Sequence, residues 1–484
     1  MKEDKNDLIR VFAKGGILSP ADLLSIMEIS KTIGNDHVAF GSRQDVIFPS
    51  NGRSPKEISE ACKSIDIGYE IGTDNSVYQN IVSSYVAVNV VDTTNWVQEG
   101  VYQIIIDDFE YLPKLKINIV DPVQSIVPLF SGEINFIASE QENYWFLYIR
   151  NPNKDNKLER WPRLIYSSDI AKVAQSAEET IINNPQFVVE ELYMVLQGKI
   201  KVNYRKIEKS LQTPEPNFPY YEGLNALSNN RYWLGLYWRN NHYDLEFMGT
   251  ACRLCQETSI GKISIIPWKS FIIKSIKAED RLRWEKLTGK FGINMRHSSL
   301  ELNWHLPVYD KEALDLKRFL TKELDHQDIS TFGLTFSIKT YRDYYWFTSV
   351  VIERNLNKNL AVEECYNILY AKDFNPNHSE YFTYAQAVKK EIIPSLLIEL
   401  SKIYFRQLNP EKDVVADGKS VNLTEELFES HQCSNCLTIY DKALGDPSAN
   451  IEPGTPFEEL PNNYCCHVCD SGKEFFNPVL MPLN

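Results

Sequence analysis

Along residues 8–49 the spacing of apolar positions changes once, from helical to extended. Leu23, Leu24, Ile26, Met27 and Ile29 recur at helical spacing behind Ser19-Pro20, which suits an N-cap followed by proline at the first helical position. Gly34-Asn35-Asp36 ends that run, and Val38, Phe40, Val46, Ile47 and Phe48 then read as an extended segment. Further strands are predicted over 112–119, 132–139 and 144–150, and a helix over 168–183. The pattern then returns. Residues 263–274 repeat the apolar run of 38–49, and Tyr344-Tyr345-Trp346-Phe347 through Arg354 repeats Asn143-Tyr144-Trp145-Phe146 through Arg150. Each aromatic motif is expected to end a pair of strands and precede a helix, at 171–182 and 385–400. Two halves follow, about 8–200 and 225–405, joined by a proline-rich connector near 212–219.

Composition adds a compartment and a charge map. The chain has 484 residues, 43% apolar and 12% aromatic, enough for two to four domains with a large core. No apolar run reaches the ~18–20 residues of a membrane span, and Met1-Lys2-Glu3-Asp4 begins no apolar signal region, so a cytoplasmic protein is expected. The nine cysteines fit a reducing compartment, since the five outside the motif described below are odd in number and scattered. Net charge is −14, and residues 425–474 alone carry ten acidic against two basic side chains. That balance argues against nucleic acid and suits brief docking to a basic protein surface.

The strongest chemical signal is at the C-terminal end. Cys433/Cys436 and Cys466/Cys469 are two Cys-x-x-C pairs separated by 29 residues, a spacing that lets four thiolates meet one tetrahedral metal. Between them lie turn formers, Gly445-Asp446-Pro447 and Pro453-Gly454-Thr455, and the candidate miniature core Tyr440, Phe457, Tyr464 and Phe476. In so small a unit the metal must supply much of the folding free energy. The stretch resembles rubredoxin over its whole length, with Tyr440-Asp441 to Gly445-Asp446-Pro447, Pro453-Gly454-Thr455 to Leu460-Pro461 and Cys466–Cys469 carrying the likeness. The resemblance implies one iron held by Cys433, Cys436, Cys466 and Cys469, cycling between ferric and ferrous. Departures are Leu437 and Asp470 where the family has glycine, Tyr464 where it has tryptophan, and His467 where it has proline. A structural zinc site uses the same ligands and stays open as the alternative. Cys465 reads as a small apolar filler.

A second resemblance covers the body. Gly15-Gly16-Ile17-Leu18-Ser19 through Arg43-Gln44-Asp45 looks like the ferredoxin-like half-domain of the nitrite and sulfite reductases that bind sirohaem. Leu112-Pro113-Lys114-Leu115-Lys116-Ile117 resembles the segment whose two lysines face the haem-bound anion in that family. The resemblance implies an anion or cofactor site at Arg43, Lys114 and Lys116, the two lysines sharing one face of a strand. A further family arginine would fall at Gln79-Asn80-Ile81-Val82, where the charge is missing. The cysteines expected for a four-iron cluster are also missing, from 298–309 and from 333–345.

The fold expected is α+β: a duplicated reductase-like body with two ferredoxin-like half-domains (1–75 and 220–295) and two α/β lobes (76–210 and 296–407). A linker over 408–424 and an iron-binding rubredoxin domain over 425–484 complete it. The function expected is electron transfer between a donating reductase and an acceptor of nitrite/sulfite reductase type. A carrier is expected ahead of a catalyst, with no four-iron cluster and with sirohaem the less expected occupant of the cleft. Two alternatives stand beside it: a cluster-free sirohaem reductase fed by the rubredoxin iron, and a non-redox binding protein with structural zinc.

Overall fold

The computed structural model describes the chain from 8 to 482 except residues 64, 73–76, 152–156, 214–217, 219, 228, 298, 342–345, 356–363, 409–426, 436–437, 441, 443–444, 447–448, 450, 467–468 and 470. Contacts divide it into two compact units, 1–408 and 409–484. Most of the predicted linker therefore lies outside the described residues.

In the first unit Ser19 caps the helix Pro20–Ile33 by accepting from the Asp22 N–H at 3.0 Å, and Gly34 closes it with φ of 107°. The extended run behind it folds into a hairpin, His37–Phe40 against Val46–Pro49, and Leu8–Val11 pairs with the second of these strands. The same plan recurs later in the chain. Arg231–Leu236 pairs with Ser270–Lys277, which pairs with Ile263–Ile266, and the helix Leu245–Glu257 precedes that hairpin. Each copy lends the other a short strand. Ile17–Leu18 pairs with Ile263–Ile266, while Tyr243–Asp244 pairs with His37–Phe40. The two helices pack on each other, and one apolar cluster, including Leu23, Ile26, Phe40, Phe247, Cys252 and Ile265, runs under both sheets.

The lobes repeat as well. In the first, Val82–Ser83, Ile117–Val120 and Ile134–Ala138 run parallel, Tyr144–Arg150 and Arg163–Tyr166 return antiparallel, and the helix Ile170–Asn183 closes the lobe. In the second, Trp304–His305, Phe336–Lys339 and Val350–Arg354 run parallel, Cys365–Ala371 and Tyr381–Lys389 return, and the helix Ile393–Leu408 closes it. A helix crosses between the first two strands of each, Glu99–Asp107 and Lys311–His326. The protein is thus α+β with a duplicated body.

The duplication does not run through the motifs that suggested it. Trp145 and Phe146 lie in the antiparallel strand Tyr144–Arg150, whereas Trp346 and Phe347 precede the parallel strand Val350–Arg354. Tyr344 and Tyr345 lie outside the described residues. The helix expected over 385–400 begins only at Ile393, because Tyr381–Lys389, rich in aromatic and β-branched side chains, pairs with Cys365–Ala371 instead.

Candidate metal centre and the junctions of the body

The second unit is built on a three-stranded sheet. Leu427–Cys433 sits between Ile439–Tyr440 and Phe476–Pro482, so its last residue enters the first Cys-x-x-C turn directly from a strand. Cys433 N–H donates to the Thr438 carbonyl and Cys466 N–H to the Ser471 carbonyl, both at 2.8 Å. The two segments are therefore matched, each closed by a bond from a cysteine N–H to the carbonyl five residues on. Cys433, Cys466 and Cys469 bring their Sγ atoms within 4.8 Å of one another, and Cys433 Sγ lies 3.7 Å from Cys469 Sγ. A tetrahedron of metal–sulfur bonds near 2.3 Å has edges of about 3.8 Å, so the three sulfurs fit one metal. Cys436 lies outside the described residues, as do Leu437, His467 and Asp470.

The aromatic core forms as expected. Tyr440, Phe457, Tyr464 and Phe476 meet at centroid distances of 5.1 to 6.5 Å. The phenols are anchored, Tyr440 to the Thr455 carbonyl and Tyr464 to the Asp446 carboxylate, both at 2.9 Å. Cys433 and Cys466 are buried and Cys469 half-buried. Cys465 is exposed, which corrects its reading as an apolar filler: it makes an isolated bridge with Gly472 while its neighbours Tyr464 and Cys466 face the core. The other Cys-x-x-C pair, Cys252/Cys255, is fully buried on the helix Leu245–Glu257, and burial pushes the Cys252 thiol up to about 12.

In the body Arg43 is buried and ties the first hairpin to the first lobe. Its Nη1 donates to Asn118 Oδ1 at 2.7 Å, and its Nη2 to the Asn80 and Ile117 carbonyls at 2.8 Å. Gln44 beside it donates to the Ser83 and Ile265 carbonyls and accepts from Ser83 N–H. Gly16 makes room, since a Cβ there would come within 2.5 Å of the Gln44 amide.

Lys114 and Lys116 do not share a strand face, because the strand begins at Ile117. Two carboxylates distant in sequence hold the chain in a bend just before it. Glu178 accepts the Lys114 and Leu115 N–H groups at 2.7 and 2.6 Å, and Glu133 accepts that of Lys116 at 2.5 Å. Lys114 is exposed and Lys116 half-buried. The structure sets Arg43 against the backbone next to Lys116 and leaves the Lys114 side chain outside.

The comparisons with known proteins divide along the same line as the two units. Residues 430–476 match the rubredoxin family model. The anaerobic nitric oxide reductase flavorubredoxin homolog of Escherichia coli O157:H7 is 42% identical over 66 residues, 14% of this chain and 16% of that protein. The anaerobic nitric oxide reductase flavorubredoxin of Shigella flexneri is 42% identical over 66 residues, 14% of each chain. The likeness to these relatives thus spans a sixth or less of their length. Among solved structures, the NirA protein of Mycobacterium tuberculosis superposes with a TM-score of 0.62 at 14% identity, over 85% of this chain and 82% of that one. Among the described residues no helix is long and apolar enough to cross a membrane. The chain carries a rubredoxin domain at its C-terminal end, preceded in sequence by a body with the fold of the NirA protein.

Proposed function

We propose that the protein is an electron carrier serving a nitrite/sulfite reductase-type system. The observation that carries this reading is the convergence of Cys433, Cys466 and Cys469 within 4.8 Å inside a rubredoxin match. Cys436 completes the ligand set by its place in the first Cys-x-x-C pair. Iron held by four thiolates supplies one-electron exchange, and such a closed set leaves no position for a substrate. The buried Cys433 and Cys466 shield the centre, and the half-buried Cys469 marks the edge where an electron enters and leaves. The acidic surface of the domain favours a basic docking face on a donor reductase and on an acceptor. On the body, Lys114 and Lys116 remain the residues proposed to meet an anion, with Arg43 bonded to the Ile117 carbonyl beside them.

A visible spectrum of protein purified without exposure to zinc, before and after dithionite and with metal analysis, tests the reading. One iron per chain with ferric-thiolate bands that bleach on reduction, lost in Cys466→Ser, is the expected result. A colourless zinc protein would sink the carrier, and added sirohaem bands would move the reading to a catalytic reductase.

A further inference from the structure

The second hairpin contains the counterpart of Gln44. Residues 41–44 and 266–269 are matching turns, closed by the bonds Gln44 N–H to Gly41 O at 3.0 Å and Lys269 N–H to Ile266 O at 3.2 Å. Both end on a residue with φ of 60°. Gln44 has every hydrogen-bonding partner an amide in that place could need; Lys269 has none. It is 5% exposed, and its ammonium makes no hydrogen bond or ion pair among the described residues.

Its surroundings are cationic. Lys317 reaches in from the helix Lys311–His326 and Lys339 from the strand Phe336–Lys339, and both act on Lys269 as like charges. His305, 5% exposed, adds an Nδ1 with no hydrogen-bond partner among the described residues. Phe347, between Trp268 at 5.6 Å and the imidazole at 4.6 Å, fixes that ring. Of the acidic groups nearby, Asp310 and Asp45 act on Lys269 as opposite charges, each more weakly than either lysine. Glu301 pairs with Lys317 at 2.9 Å, and Asp45 on the first hairpin faces Arg10 at 3.9 Å. Asp310 caps its helix through Ala313 N–H at 3.0 Å and accepts from the Thr340 hydroxyl.

A buried ammonium beside two others and an unsatisfied imidazole is costly unless an anion shares the site. His305 and Lys339 also close the carboxyl ends of neighbouring parallel strands, where open α/β sheets bind ligands. We propose that Lys269, Lys339 and His305 form a buried site for a small inorganic oxyanion in the second half, His305 and Lys339 lying in the two stretches where cluster cysteines were expected. Burial and the like charges hold the Lys269 ammonium down to about 7, so anion binding tightens as pH falls through neutrality. The site is independent of the metal in the C-terminal unit.

The test is calorimetric titration and thermal unfolding of the full chain with inorganic phosphate and with nitrite, in separate arms, against chloride at equal ionic strength. One or both oxyanions should bind and stabilise the wild type beyond the chloride control. Binding should weaken by about tenfold or more in Lys269→Met and in Lys269→Gln, and stay within about twofold in Lys286→Gln, an exposed lysine outside both sites. The Lys269 variants without anion should melt no lower than wild type, which separates a lost ligand from a lost fold. If neither oxyanion binds, or if Lys269→Gln binds as wild type does, Asp45 and Asp310 suffice as counter-ions and the proposal falls.

Discussion

The two hairpin junctions of the body share a backbone and differ in nearly everything else. At the first, Arg43 and Gln44 spend their side chains on the carbonyls of Asn80, Ile117, Ser83 and Ile265, and every bond is internal. At the second, Trp268 reaches the Ile126 carbonyl at 2.9 Å, while Lys269 is buried without a partner among the described residues. Duplication preserved the turn and its left-handed residue, but not the chemistry. A network whose members bond one another rigidifies, whereas a buried charge without a hydrogen bond carries a standing cost that a ligand can offset.

The largest expected break in this comparison is Arg43→Ala. It strands two backbone carbonyls and Asn118, so urea unfolding should show a loss of about 3–5 kcal/mol, and an effect near zero would remove its structural role. Gln44→Ala comes next, at about 2–3 kcal/mol, because it orphans Ser83 N–H and two carbonyls. The mirror substitution Lys269→Gln should instead be neutral or stabilising by about 1–2 kcal/mol in anion-free buffer. A loss as large as that of Gln44→Ala would make the two junctions alike.

A pH series sharpens the contrast. The folded-state pKa of Lys269 lies below its unfolded value, so between about 7 and 10 the unfolded chain binds more protons. Wild-type stability should therefore rise with pH across that window by at most about 1.4 kcal/mol per unit relative to Lys269→Gln. Below it both states are protonated and the difference should level off. The smallest effect belongs to Lys114→Ala, within about 0.5 kcal/mol, since Glu178 binds the Lys114 N–H and not its exposed side chain.

Local signals were read well where neighbours in sequence make the structure. Ser19 and Gly34 bound their helix, and Tyr440, Phe457, Tyr464 and Phe476 assemble as one small core. The reading failed where a distant partner decides. Nothing in 112–119 announces that Glu133 and Glu178 will take its first amides and delay the strand to Ile117. Nothing local separates Tyr144–Arg150 from the stretch around Trp346, which share aromatic letters but occupy different places in their lobes.

By itself the sequence determined the two Cys-x-x-C pairs, the duplicated α+β body and the acidic small domain, because spacing, periodicity and charge are properties of neighbouring residues. Tertiary structure alone decided which polar side chains are satisfied. Gln44 and Lys269 fall in the matching apolar runs 38–49 and 263–274, and only the strands packed against them set what each can touch. Hydrogen bonds and buried charge depend on groups tens to hundreds of residues away, whose positions no local pattern encodes.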